Sequence, residues 1–226
     1  MAIAELDEPL SDDAFIEFGS RLGHAMPERD PAVLPYVDQD VLLNLFTEHG
    51  RTRCVSLQPF ATNFLSLHTE GSGRRAEQQP RYIVLMCCDP GDDATAAQTV
   101  LVPMAAVERS LPSGDIELLS QTRYRSCVHG PFIVRQLEDR AVFSFRDFMS
   151  DTLEWVHAGD EEDPEVVRTA IVRLLGTMYE VTAASGVYWR RGMLVVIDNT
   201  FFFHGKTAGP VAAPSRRRHL KRLRIV

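Results

Sequence analysis

This chain of 226 residues has no long apolar run. Nothing in it approaches the roughly 18 consecutive apolar residues of a transmembrane helix, so no membrane span is expected. Basic charge is also short. Lys and Arg number 24 against 31 Asp and Glu, a formal net charge of −7, whereas nucleic-acid binders usually carry a basic balance. The acidic opening MAIAELDEPLSDD lacks the basic-then-apolar pattern of a signal peptide, and the expected setting is cytoplasmic. Only four cysteines are present (Cys54, Cys87, Cys88 and Cys127), with no CxxC pair among them. A cysteine-held zinc site is therefore not expected, and reduced, mostly buried thiols are. Internal repeats and low-complexity stretches are missing as well.

What is present suits one compact domain over 1–226, since 45% hydrophobic residues can bury a core at this length. Residues 1–50 read as an N-terminal helical part. Ser11-Asp12-Asp13 can cap a helix carrying Phe15, Phe18 and Leu22, and Val41, Leu42, Leu45 and Phe46 read as a second apolar stripe. Residues 51–226 change to short β-rich runs divided by Pro, Gly and Asp. These are RCVSLQ, ATNFLSLHTE, YIVLMCC, QTVLVPM, PFIVRQL, AVFSFRDF, MLVVIDN and RHLKRLRIV. The pattern predicts a mainly β fold with flanking helices, either a sandwich or a barrel, and a double-sheet jelly roll is one solution. A helical insert is expected around 163–184. Asp163 can cap it, Pro164 suits its first turn, and Val167, Ile171, Leu174, Leu175 and Met178 follow a 3.6-residue period.

Two histidines and a carboxylate supply the chemistry. In SLHTEG, His68 and Glu70 are two apart, which on a strand aims both at one face. Alone, such a pair is a common accident. A third donor, His204, follows the apolar run MLVVIDN and three phenylalanines; in isolation it would pass for a half-buried core residue. Together the three form the set that leaves open positions on non-haem iron(II). Arg218 lies fourteen residues past His204. Alternation along RHLKRLRIV puts Arg218, Leu220, Arg222, Arg224 and Val226 on one face. Inward arginines are costly unless anions meet them, and a guanidinium matches a carboxylate in two-pronged fashion. A dicarboxylate cosubstrate near iron needs such a group.

The order HTE, then Pro80, Tyr82, Leu85 and Cys87 in PxYxxLxC, then LVVIDN, HG and RHLKRLRI resembles the clavaminate synthase-like branch of the TauD-type iron(II)/2-oxoglutarate dioxygenases. The resemblance covers roughly residues 55–105 and 185–226. It implies a double-stranded β-helix (jelly-roll) core and a metal site of His68, Glu70 and His204. It implies further that Arg218, with Thr99 offering a hydroxyl, binds the distal carboxylate of 2-oxoglutarate. Arg222 would grip a substrate carboxylate. Dioxygen would be the second cosubstrate, and succinate and carbon dioxide the coproducts of C–H hydroxylation. An intact Glu70 favours hydroxylation over halogenation, since halogenases of related architecture lack the carboxylate. Gln58, Asn63, Asp147 and Asp151 are polar candidates for the substrate pocket. The expected partner is a small, carboxylate-bearing molecule such as an amino acid or a related natural-product intermediate.

Other readings remain open at this level. The same cofactors could serve desaturation or cyclisation of a secondary metabolite. A jelly roll could bind without turnover. The basic terminus, Arg216 to Arg224, could be an anionic-partner patch, although its interleaved leucines read as a strand.

Overall fold

The computed structural model describes residues 1–47, 50–93, 95–125, 127, 129–146, 155–159, 163–209 and 215–226. In chain order its strands begin with β1 (Ala2–Glu5), β2 (Val37–Asp38), β3 (Leu42–Phe46), β4 (Leu65–His68), β5 (Tyr82–Asp89), β6 (Thr99–Pro103) and β7 (Thr122–Tyr124). They continue with β8 (Val134–Leu137), β9 (Arg140–Phe143), β10 (Trp155–His157), β11 (Ser185–Val187), β12 (Met193–Asp198), β13 (Phe202–Lys206) and β14 (His219–Ile225). The helices are α1 (Asp12–Ser20), α2 (Met104–Ser110), α3 (Ser113–Leu119) and α4 (Pro164–Glu180).

Two antiparallel sheets make the jelly roll. The larger runs β1-β12-β5-β14-β3-β2 and the smaller β11-β6-β13-β4. Period-two alternation sorts their side chains into layers. On β5, Ile83, Leu85 and Cys87 join Leu101 of β6 and Leu220 of β14 in the core between the sheets. Val84 and Met86 face the other way and meet Phe15 of α1. On the smaller sheet Leu67, Val102 and Phe203 point outward to Val107 of α2 and to Val167, Ile171 and Leu174 of α4. The fold is therefore helix on sheet on sheet on helix, and each fully buried Leu, Ile or Phe contributes about 1.5–3 kcal/mol.

α4 forms where its signals stand. The Asp163 side chain accepts the Glu165 N–H at 2.9 Å, Pro164 sits in the first turn, and the predicted stripe is buried at Val167, Ile171, Leu174 and Met178 and half-buried at Leu175. Two expectations are corrected. The 1–50 part is only partly helical, because Leu42–Phe46 is strand β3 rather than a helical stripe. Its run is short enough to fit either period, and pairing with β14 decides it. The N-terminus adds β1, laid along β12. RCVSLQ is not a strand. Val55–Phe60 makes 3-10 turns with Pro59 inside them, a residue that cannot donate to a ladder. Residues 104–119 hold α2 and α3.

Candidate metal centre

β4 and β13 bring the two histidines together. His68 and His204 are paired directly across the strands, with ring centroids 4.3 Å apart and planes at 49°. The ladder shifts register between His204 and Lys206, and Gly205 makes that approach feasible. A Cβ there would stand 2.6 Å from the Leu65 carbonyl oxygen, so any side chain would push β4 from β13.

Glu70 is not on the strand, as its spacing suggested, but in the turn just past the end of β4. Its carboxylate still reaches the histidines. Oε2 is 3.8 Å from His68 Nε2 and 3.9 Å from His204 Nε2. One donor atom from each residue falls within 4.8 Å of the others, and the trio can hold a metal ion.

Protonation favours that use. His68 Nδ1 lies 2.8 Å from the Ser66 carbonyl oxygen. A carbonyl only accepts, so Nδ1 carries a proton and Nε2 is the ring atom turned toward the cluster. Burial, aided by the neighbouring His68, pushes His204 down to about 3, and the ring is neutral. Burial would raise the Glu70 carboxyl, yet Arg222, the hydrogen bond and charge of His68, and Arg224 outweigh it and hold the group well below the usual range. The set presents a neutral His204 imidazole, an ionised Glu70 carboxylate and the Nε2 of His68, donor types that a divalent metal takes.

A cavity of about 220 Å³ opens from this cluster between the sheets, reaching Arg218, Thr99 and Lys206 at one side and Glu28, Arg222 and Arg224 at another. Arg218, just before β14, is buried. Its Nε donates to Thr47 Oγ1 at 3.2 Å and its Nη1 to the Ala97 carbonyl. Burial lowers it to about 10, and no carboxylate among the described residues offsets that desolvation. Thr99 on β6 is buried and sits opposite Lys206 in the β13 register. Arg222 lies on the predicted inward face, with Nη2 2.8 Å from Glu28 Oε1 and Nη1 3.8 Å from Glu70 Oε2.

The weaker pocket candidates are placed differently. From their neighbourhood the cavity is lined by Val55, Ser56 and Pro59. Gln58 gives its carbonyl to Lys206 Nζ at 3.3 Å, and Asn63 Oδ1 accepts the Thr52 N–H at 2.8 Å. Asp147 and Asp151 lie outside the described residues. Residues the sequence reading missed include Glu28, Arg224 as a partner of Glu70 (3.4 Å), Asn199 and Lys206. Lys206, two past His204 on the same strand, carried a legible period-two signal. Glu28 carried none. Burial, with a contribution from Arg218, lowers Lys206 to about 7, and its Nζ also donates to the Ala61 carbonyl at 2.6 Å.

The family model described as "Taurine catabolism dioxygenase TauD, TfdA family" matches residues 6–224. The chain belongs to the TauD/TfdA family. It is an oxygenase whose cofactors are iron(II) and 2-oxoglutarate. No curated protein matches it by sequence. Solved structures share the TauD fold. PvcB from Pseudomonas aeruginosa superposes with a TM-score of 0.69 at 23% identity, over 98% of this chain and 72% of that one. OrfP with iron and α-ketoglutaric acid gives 0.68 at 16%, over 94% and 63%. Asparagine oxygenase with Fe(II), 3-hydroxyasparagine and succinate gives 0.66 at 14%, over 94% and 63%. No helix among the described residues of this TauD-type chain is long and apolar enough to cross a membrane.

Proposed function

We propose that this protein hydroxylates an unactivated C–H bond of an amino acid or related carboxylate-bearing intermediate, with iron(II) held by His68, Glu70 and His204. The single observation behind this reading is the convergence of those three donors on one cavity that Arg218 also lines. The donor set fits iron(II), since two imidazoles and one carboxylate leave positions open for small ligands. When bound together, iron(II) and 2-oxoglutarate supply oxygen activation coupled to cosubstrate decarboxylation.

The chain's own residues do the aiming. Arg218, buried without an anionic partner among the described residues, takes the distal carboxylate of 2-oxoglutarate, and the Thr99 hydroxyl adds a hydrogen bond to it. Ile83, Leu85 and Leu45 wall the cavity with apolar surface, keeping water from the reacting atoms. Arg222 receives a substrate carboxylate, and Glu28 beside it offers an acceptor for an ammonium group. Asparagine oxygenase holds a hydroxylated amino acid, and OrfP is described with (3S)-hydroxy-L-Arg, which supports this substrate class. A cytoplasmic setting belongs to the same reading, because all four cysteines are free thiols that a reducing compartment preserves.

The test is a panel of amino acids and derivatives incubated with protein, iron(II), 2-oxoglutarate and oxygen. Substrate-dependent succinate release with a product heavier by one oxygen is the expected result. A product lighter by two hydrogens would replace hydroxylation by desaturation or ring closure. No succinate with any panel member, despite measured iron and 2-oxoglutarate binding, would favour a binding module.

A further inference from the structure

Glu70 has no strand to hold it, because β4 ends two residues earlier. Its backbone is held instead by one side chain. Asn199, immediately after β12 and buried, accepts the Glu70 N–H on Oδ1 at 2.8 Å. Its Nδ2 donates to the Glu70 carbonyl at 3.1 Å and to the Pro80 carbonyl at 3.0 Å. The Asn199 backbone N–H donates to the Arg81 carbonyl at 2.9 Å. Asp198 next to it is anchored in turn, with Oδ2 accepting from Arg81 Nε at 3.0 Å and Oδ1 from Thr200 N at 2.9 Å. The Asn199 amide thus stands where a paired strand residue would stand, bridging the turn to the start of β5.

Only an amide satisfies this site. One acceptor and two donors are used at once, and an aspartate of the same shape would set an anionic oxygen against two carbonyl oxygens. The Glu70 side chain, by contrast, is held from the opposite side by Arg222 and Arg224. Backbone and carboxylate are therefore fixed by separate groups.

We propose that Asn199 is a positioning residue of the metal centre, keeping the Glu70 backbone where its carboxylate can join the Nε2 atoms of His68 and His204. This rests on the reading of Glu70 as a ligand. Groups that orient a metal ligand typically contribute about 10–100-fold to metal affinity. Asn199→Asp should therefore weaken iron(II) binding by at least about tenfold.

The experiment is anaerobic titration of iron(II) into four proteins: wild type, Asn199→Asp, Glu70→Ala and the double variant. The expected result is a loss for Asn199→Asp in the wild-type background and none in the Glu70→Ala background, where no carboxylate remains to position. Equal losses in both backgrounds would mean a general structural role and overturn the proposal, as would no loss in either. A Glu70→Ala protein binding iron as tightly as wild type would instead overturn the ligand reading. Should Asn199→Asp fail to fold, hydrogen exchange on the unsubstituted protein decides. The Glu70 amide is expected to be protected, and exchange at the rate of an open loop would overturn the clamp.

Discussion

His68 and His204 sit directly opposite one another in the antiparallel β4–β13 pairing, ring centroids 4.3 Å apart. Neither imidazole can leave without emptying half of the nitrogen donor set. His68→Ala and His204→Ala should each abolish tight iron(II) binding and 2-oxoglutarate-dependent succinate formation, with folding retained by circular dichroism. Full turnover in either variant would end the assignment. Gly205→Ala tests the same pairing through the backbone. Its Cβ would collide with the Leu65 carbonyl, and reduced iron affinity without loss of either ligand is expected.

Arg218 is a desolvated cation that lines the same cavity as the three donors. Removing one partner of a buried, hydrogen-bonded charge pair costs roughly 2–5 kcal/mol. Arg218→Ala should therefore raise the 2-oxoglutarate requirement by about thirtyfold or more, measured as the half-saturating concentration for succinate release. An unchanged requirement removes Arg218 from the cosubstrate site. For Arg222→Ala, weaker substrate binding with uncoupled 2-oxoglutarate consumption spared is expected; equal loss of both would give it a structural role.

Glu28 shares the two guanidiniums that also face the Glu70 carboxylate, at 2.8 Å from Arg222 and 2.7 Å from Arg224. Its side chain is only 4% exposed. Glu28→Gln leaves Glu70, at longer range, as the carboxylate facing both arginines among the described residues, and breaking a buried pair in this way costs about 3–5 kcal/mol. Urea denaturation of the metal-free protein should show that loss. A change under about 1 kcal/mol would mean water already screens the pair.

Cys87 gives a pH dependence whose sign can be worked out. Burial, with a push from Cys88, raises its thiol from 9.0 to about 12. Between those values the unfolded chain loses a proton that the folded chain keeps, so the stabilisation is complete below about pH 9 and is lost as pH rises toward 12. Thermal melts of wild type and Cys87→Ala should diverge in slope over that window, with the wild type falling faster. Parallel curves would mean that the folded thiol titrates normally. At pH 8, exposed Cys54 should react with a thiol reagent before unfolding and Cys87 only after it.

Local spacing made much of the site readable. His204 and Lys206 share a face of β13, as do Arg222 and Arg224 of β14, because successive residues on a strand alternate sides. Capping and a 3.6-residue period marked α4 for the same kind of reason. Leu42–Phe46 misled, since five apolar-rich residues satisfy either period and only β14 alongside them settles which one. RCVSLQ misled as well, because Pro59 breaks Val55–Phe60 into 3-10 turns.

From the chain alone came the donor types, the inward arginines and the β-rich texture, each encoded in the repeat distance of a single element. Tertiary structure alone decided that His68 meets His204, that Glu28 reaches Arg222, and that Asn199 clamps a turn far away in sequence. Those contacts depend on sheet order and on where strands stop. Such features arise from burial summed over many distant pairs, and no short window of residues records that sum.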